Sequence, residues 1–234
     1  MFPISSRQRR YRFPFVTISL IVCNLLVFYW ELLQGSALPD LITVWGLRPS
    51  FFLSYWWVPS PYVWLPLVSS MFLHGGWLHL GGNMLFLWVF GGNVEDRLGH
   101  LRFLVFYFFA GFAAAFTQVF MLFDSAAPVI GASGAIAGVL GAYLVMFPRA
   151  RVLTMILIIF FPLFLDLPAI FLLLFWFVTQ FASGIASLET GEALYGGVAY
   201  WGRIGGFIAG AILTLLLDPE NHNAYFISNH GQQL

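Results

Sequence analysis

The sequence predicts an all-α polytopic membrane protein, a bundle of six transmembrane helices with both termini in the cytoplasm. Three observations carry this reading. Hydrophobic residues make up 60% of the 234-residue chain and charged residues 9%, against about 45–50% and about 25% in soluble domains. Six apolar runs approach the roughly 20 residues that a helix needs to cross about 30 Å of hydrocarbon. The arginines gather on one side of those runs. The same composition excludes other classes. A soluble core of this size cannot hide 27 Phe and 9 Trp, and a disordered chain lacks aromatics and carries charge. The lone Cys23 excludes a disulfide scaffold. All the basic residues are arginine, and they are balanced by an equal number of Asp and Glu, which argues against nucleic acid as a partner. Backbone in hydrocarbon must satisfy its own hydrogen bonds, so helices are expected rather than open strands.

Taken in order, residues 1–12 form a basic cytoplasmic tail with Arg7, Arg9, Arg10 and Arg12. The first span covers about 13–33; its apolar run is longer than a secretory signal's core, so it is read as retained. Residues 38–77 are apolar but broken by Pro39, Pro49, Pro59, Pro61 and Pro66, which forbid one straight helix. Their Trp45, Trp56, Trp57 and Trp64 suit a loop lying at the membrane interface. Spans two to six cover about 78–94, 101–123, 133–147, 168–187 and 198–217. The stretch 152–165 is too short to span and reads as a half-buried approach to span five. Residues 218–234 form a polar cytoplasmic tail. Arg97 and Arg102, then Arg149 and Arg151, fall on the same side as the N-terminal arginines, and Arg48 alone falls on the other. Arg203 lies within the sixth span.

Polar groups inside a bilayer are costly, so the few present are functional candidates. His79 and Asn83 open span two, Ser133 opens span four and Arg203 stands near the start of span six, all at the outer ends of helices that run in the same direction. His79 and Asn83, four apart, share a helical face. His74 points elsewhere, from the loop; with no acidic partner at ligand spacing, a metal site is not expected. Ser133, Ala137 and Gly141 make a small-residue stripe, and Arg203, Gly206 and Gly210 make another, which would let spans four and six approach closely. The string Gly131-Ala132-Ser133-Gly134 opens a helix with an accessible hydroxyl and unpaired N–H groups, a nucleophile with part of an oxyanion hole. The plainer alternatives are glycines that serve packing alone and a His79–Asn83 pair that joins helices by a hydrogen bond.

These strings resemble one family. His74-Gly-Gly-Trp-Leu-His79-Leu-Gly-Gly-Asn83 matches the HxxxxHxxxN motif of rhomboid intramembrane serine proteases of the six-span bacterial type, and Gly131-Ala-Ser133-Gly134 matches their GxSG motif. GGNVEDRLG, from Gly91 to Gly99, resembles the end of the same family's second helix. The likeness runs from about Pro14 to Leu217. It implies Ser133 as the nucleophile position, His79 and Asn83 with the Ser133 N–H as the oxyanion hole, the 38–77 loop in the outer leaflet, and a substrate gate bounded by spans five and six. One position departs: Arg203 occupies the place of the general-base histidine, in Tyr200-Trp-Gly-Arg203-Ile-Gly-Gly206. Arginine stays protonated and has no acceptor. Losing the base in a soluble serine protease costs on the order of 10⁶ in turnover. The resemblance therefore implies a catalytically impaired pseudoprotease that binds transmembrane segments or serves as a subunit of a membrane complex, in the bacterial inner membrane and among its lipids, without cofactor or metal. The alternative is an active endopeptidase with an unorthodox base, for which only His74 and His79 stand at the right depth; His222 and His230 lie in the cytoplasmic tail. A channel or transporter on the same bundle would need ionisable residues along a helix. Arg203 is expected to find Ser133 Oγ, carbonyls around residues 128–132, or Glu189 or Glu192 by snorkelling.

Overall fold

The structure, a computed structural model, describes residues 2–158, 161–190 and 198–218. Helix α1, Phe15–Leu33, starts after Pro14. Its exposed first-turn amides are satisfied from elsewhere: the buried Glu95 carboxylate accepts Val16 N–H and Thr17 N–H, each at 2.8 Å, and Thr17 Oγ1–H at 2.7 Å. Four short helices follow, α2 Leu38–Trp45, α3 Pro49–Tyr55, α4 Pro61–Trp64 and α5 Pro66–Ser69, each with a proline in its first two positions. The prolines that forbid one long helix here start four short ones, because an N–H missing in the first turn costs nothing. Leu47, Phe52, Val63 and Leu67 of this segment form a small core, while Trp56, Trp57 and Tyr62 stay exposed as an interfacial aromatic set would.

Helix α6, Trp77–Phe86, runs through a π-turn at Leu87–Gly91 into α7, Gly92–Leu98. Then come α8, His100–Met121, α9, Ser133–Met146, α10, Ala169–Thr190, and α11, Tyr200–Leu217. Four of the described helices, α1, α8, α10 and α11, are long and apolar enough to cross a membrane, and α9 is a shorter apolar helix. The core lies where α8, α9 and α11 meet, around Phe103, Phe106, Val139, Leu140, Tyr143 and Phe207. Glycine makes that contact possible. A Cβ on Gly206 would fall on the Gly134 carbonyl oxygen, one on Gly210 on the Gly138 carbonyl oxygen, and one on Gly141 on the Phe207 carbonyl oxygen. The α9 stripe is thus Gly134, Gly138 and Gly141 rather than Ser133, Ala137 and Gly141. The stripe on α11 runs through Gly206 and Gly210 as expected.

The all-α expectation needs correction. Residues Phe2–Ser6 form strand β1, Arg151–Ile158 β2 and Phe161–Pro168 β3, in one antiparallel sheet of order β1-β2-β3. Phe2 pairs with Met155 and Ser6 with Val152, with an irregularity between Pro3 and Ser5; Arg151 pairs with Pro168 and Leu157 with Pro162. The start of the 1–12 tail is therefore a sheet strand, and the stretch read as a half-buried approach to span five contains the paired strands β2 and β3. Backbone satisfaction excludes an open-edged sheet only from the hydrocarbon itself. Here each strand finds a partner, and β-branched Val152, Thr154, Ile156 and Ile158 favour the pleat.

Candidate functional site

Four side chains singled out from the sequence, His79, Asn83, Ser133 and Arg203, border one cavity of about 200 Å³. Helix α6 supplies His79 and Asn83, α9 supplies Ser133 as its first residue, and α11 supplies Arg203. Phe86, Ile136, Leu140 and Trp176 form the apolar side of the same cavity, and Leu78, 94% exposed, stands at its rim.

The approach to Ser133 is fixed by the interfacial segment. Leu47 and Val129 form an antiparallel bridge, with N–H···O distances of 3.0 and 2.8 Å, and Gly131 N–H donates to Ser70 O at 2.8 Å. At Gly131 the backbone takes φ +118°, and a Cβ there would lie 2.6 Å from His79 Nε2. Only glycine meets both demands. Gly134 by contrast serves packing, since a Cβ would lie 2.6 Å from Ala114 Cβ.

His74 does not point away from this site. Its Nε2 lies 2.9 Å from Asn83 Nδ2, its ring centroid 5.1 Å from that of His79, and its Nδ1 3.0 Å from Phe72 O. A carbonyl only accepts, so Nδ1 carries the proton and Nε2 accepts from the Asn83 amide. The buried Glu31 carboxylate, near the end of α1, takes the His74 backbone N–H at 3.0 and 3.2 Å. Asn83 is therefore held by His74, not paired with His79. Burial, with the neighbouring His79 adding to it, pushes the His74 imidazole down to about 4.

Arg203 does not take the partners expected for it. Its Nη1 donates to Gln180 Oε1 of α10 at 2.9 Å, while its buried Nε meets no partner among the described residues. Among the described residues neither Ser133 nor Glu189 binds it, because the guanidinium reaches across to the carboxamide of the adjacent helix. Glu192, His222 and His230 lie outside the described residues. Sequence reasoning missed Glu31 and Gln180, and it turned His74 away from the site. Glu31 and Gln180 carried a usable signal as lone polar groups within apolar runs. Chemically, the cavity has a hydroxyl and several donors, and among the described residues Ser133 Oγ has no hydrogen-bond acceptor.

Comparison with known families agrees with this geometry. The Rhomboid domain model matches residues 61–220. The chain belongs to the rhomboid family. Among curated rhomboid proteins, it is 34% identical to Rhomboid protease GluP of Bacillus subtilis over 135 residues, 56% of this chain and 24% of that protein. It is also 34% identical to mitochondrial Rhomboid protein 1 of Saccharomyces cerevisiae over 93 residues, 38% of this chain and 27% of that one. A third, the mitochondrial presenilin-associated rhomboid-like protein of Homo sapiens, is 34% identical over 101 residues, 42% of this chain and 26% of that protein. The matched stretches thus cover about a quarter of each relative's length. Family and apolar helices together make this rhomboid chain an integral membrane protein.

Proposed function

We propose that this chain is a rhomboid pseudoprotease of the bacterial inner membrane: a six-span domain over residues 13–217 that holds transmembrane segments, alone or within a larger complex, without cutting them. In this reading Ser133 stands at the nucleophile position, His79 and Asn83 at the oxyanion positions, and Arg203 where a base should be. The observation that carries it is the arginine. A hydroxyl needs a base within hydrogen-bond reach to attack a carbonyl. Arg203 has no lone pair to offer and is turned to Gln180, and the His74 Nε2 lone pair is engaged by Asn83. The exposed Leu78 at the rim of the cavity marks an opening through which a client segment would reach it.

The second reading, an active endopeptidase, is favoured by the convergence of Ser133, His79 and Asn83 on one cavity and by likeness to a relative named as a protease. A cleavage assay with a generic transmembrane substrate separates the two. Wild type and Ser133→Ala should both leave the substrate intact, Arg203→His should cut weakly, and Arg203→Ala should not cut. Cleavage by the wild type that disappears in Ser133→Ala overturns the pseudoprotease reading. Equal cleavage by Arg203→Ala and Arg203→His would mean that residue 203 is not the base position.

A further inference from the structure

We propose that the cavity between α6, α9, α10 and α11 binds the anionic head of a single-chain amphiphile, with a phosphate or carboxylate oxygen against Arg203 and His79 and the alkyl chain along Phe86, Ile136, Leu140 and Trp176. This deepens the reading above and rests on it, since it names what a site that binds rather than cuts would hold.

The charge balance of the site comes first. A guanidinium cannot shed its proton, and a charge withdrawn from water needs a counter-charge. Among the described residues Arg203 has one hydrogen-bond partner, the neutral Gln180, and no carboxylate pairs with it. Its remaining N–H groups call for an acceptor.

Second, the groups that share the cavity are donors. Gly75 N–H points at His79 Nδ1, 3.5 Å away, so the neutral ring carries its proton on Nε2. The Asn83 amide gives one proton to His74 and has a second. Ser133 brings a hydroxyl at the first turn of α9, a 14-residue helix whose opening N–H groups and dipole favour negative charge. Donors from Arg203, His79, Asn83 and Ser133 converge on the cavity, and among its described lining residues there is no carboxylate, which suits an anion.

Third, the opposite wall is apolar and its rim carries the exposed, apolar Leu78. A volume of about 200 Å³ equals several waters at roughly 30 Å³ each, enough for one head group and the start of one chain. A free inorganic anion would leave the apolar wall facing water, whereas an amphiphile covers it.

The test uses the purified full chain in uncharged maltoside micelles. Thermal unfolding is followed against dodecyl phosphate, against dodecanol as the uncharged control, and against inorganic phosphate. Dodecyl phosphate should raise Tm saturably and dodecanol should not. Arg203→Gln should weaken the apparent affinity at least tenfold. Gly82→Leu provides a variant that keeps the arginine: Gly82 lines the cavity and a Cβ there meets nothing within 4 Å, so the added side chain should narrow the cavity and weaken dodecyl phosphate several-fold. If Arg203→Gln fails to fold, wild type against Gly82→Leu decides. No shift with dodecyl phosphate, or the same shift in the variants as in wild type, overturns the proposal. An equal shift with inorganic phosphate overturns the amphiphile and leaves a free anion as the ligand. The cleavage assay on Ser133→Ala reads the pseudoprotease assignment separately, so either result can fail while the other stands.

Discussion

At the scale of single residues, the site is governed by which lone pairs remain open. Asn83 occupies Nε2 of His74 and Phe72 occupies Nδ1–H, so this imidazole is fixed neutral between a loop carbonyl and a helix amide. Its depressed value of about 4 carries a sign. The folded state favours the neutral ring, so its contribution to stability is complete above the ordinary histidine value of about 6.5 and is lost as pH falls from there towards about 4. Thermal unfolding in micelles should show a falling Tm across that window, and His74→Gln should flatten it; an unchanged slope would remove His74 as the cause. His79, Asn83, Ser133 and Arg203 were legible in the sequence because polar residues are few in an apolar chain and these share a depth. The His74–Asn83 bond was not, because it depends on the loop before α6 folding back over that helix. The Gln180–Arg203 contact was hidden too, since it is set by how α10 is rotated against α11.

At the scale of elements, glycine decides how close helices stand. Gly206 meets the backbone of α9, which cannot yield, whereas Gly82 faces open space. Gly206→Ala should therefore destabilise the bundle by about 1–3 kcal/mol, while Gly82→Ala should leave it unchanged or raise stability by up to about 1 kcal/mol. Denaturation of both variants in the same detergent checks this, and equal effects would refute the α9–α11 contact. The long helices were readable from apolar run length, whereas α2 to α5 fall in a segment read as a loop. The sheet was not readable: Val152 to Ile158 is almost entirely apolar, as a buried helix segment is, and its pairing with Phe2–Ser6 and Phe161–Pro168 settles the matter.

At the scale of the whole molecule, arginine placement still argues for cytoplasmic termini with the 38–77 segment on the other side. In a Cys23→Ser background, a cysteine at Ser60 should react from outside sealed cells with an impermeant thiol reagent and one at Ser5 should not. Labelling at Ser5 would sink the six-span arrangement. Three consecutive residues near the end of α7 tie that end of the bundle together. Glu95 holds the start of α1, Asp96 accepts Tyr11 N–H at 3.0 Å and Arg12 N–H at 2.8 Å, and Arg97 pairs with Asp218 at 2.9 Å beyond the end of α11. A ribosome makes these partners in a fixed order. The first helix leaves it with its opening amides unmet, waits some eighty residues for the carboxylate that covers them, and the last clasp cannot close until residue 218 has been made. Assembly of the bundle is thus timed by a single turn of helix in the middle of the chain, and a translation pause before that turn would leave the N-terminal helix in the membrane without its anchor.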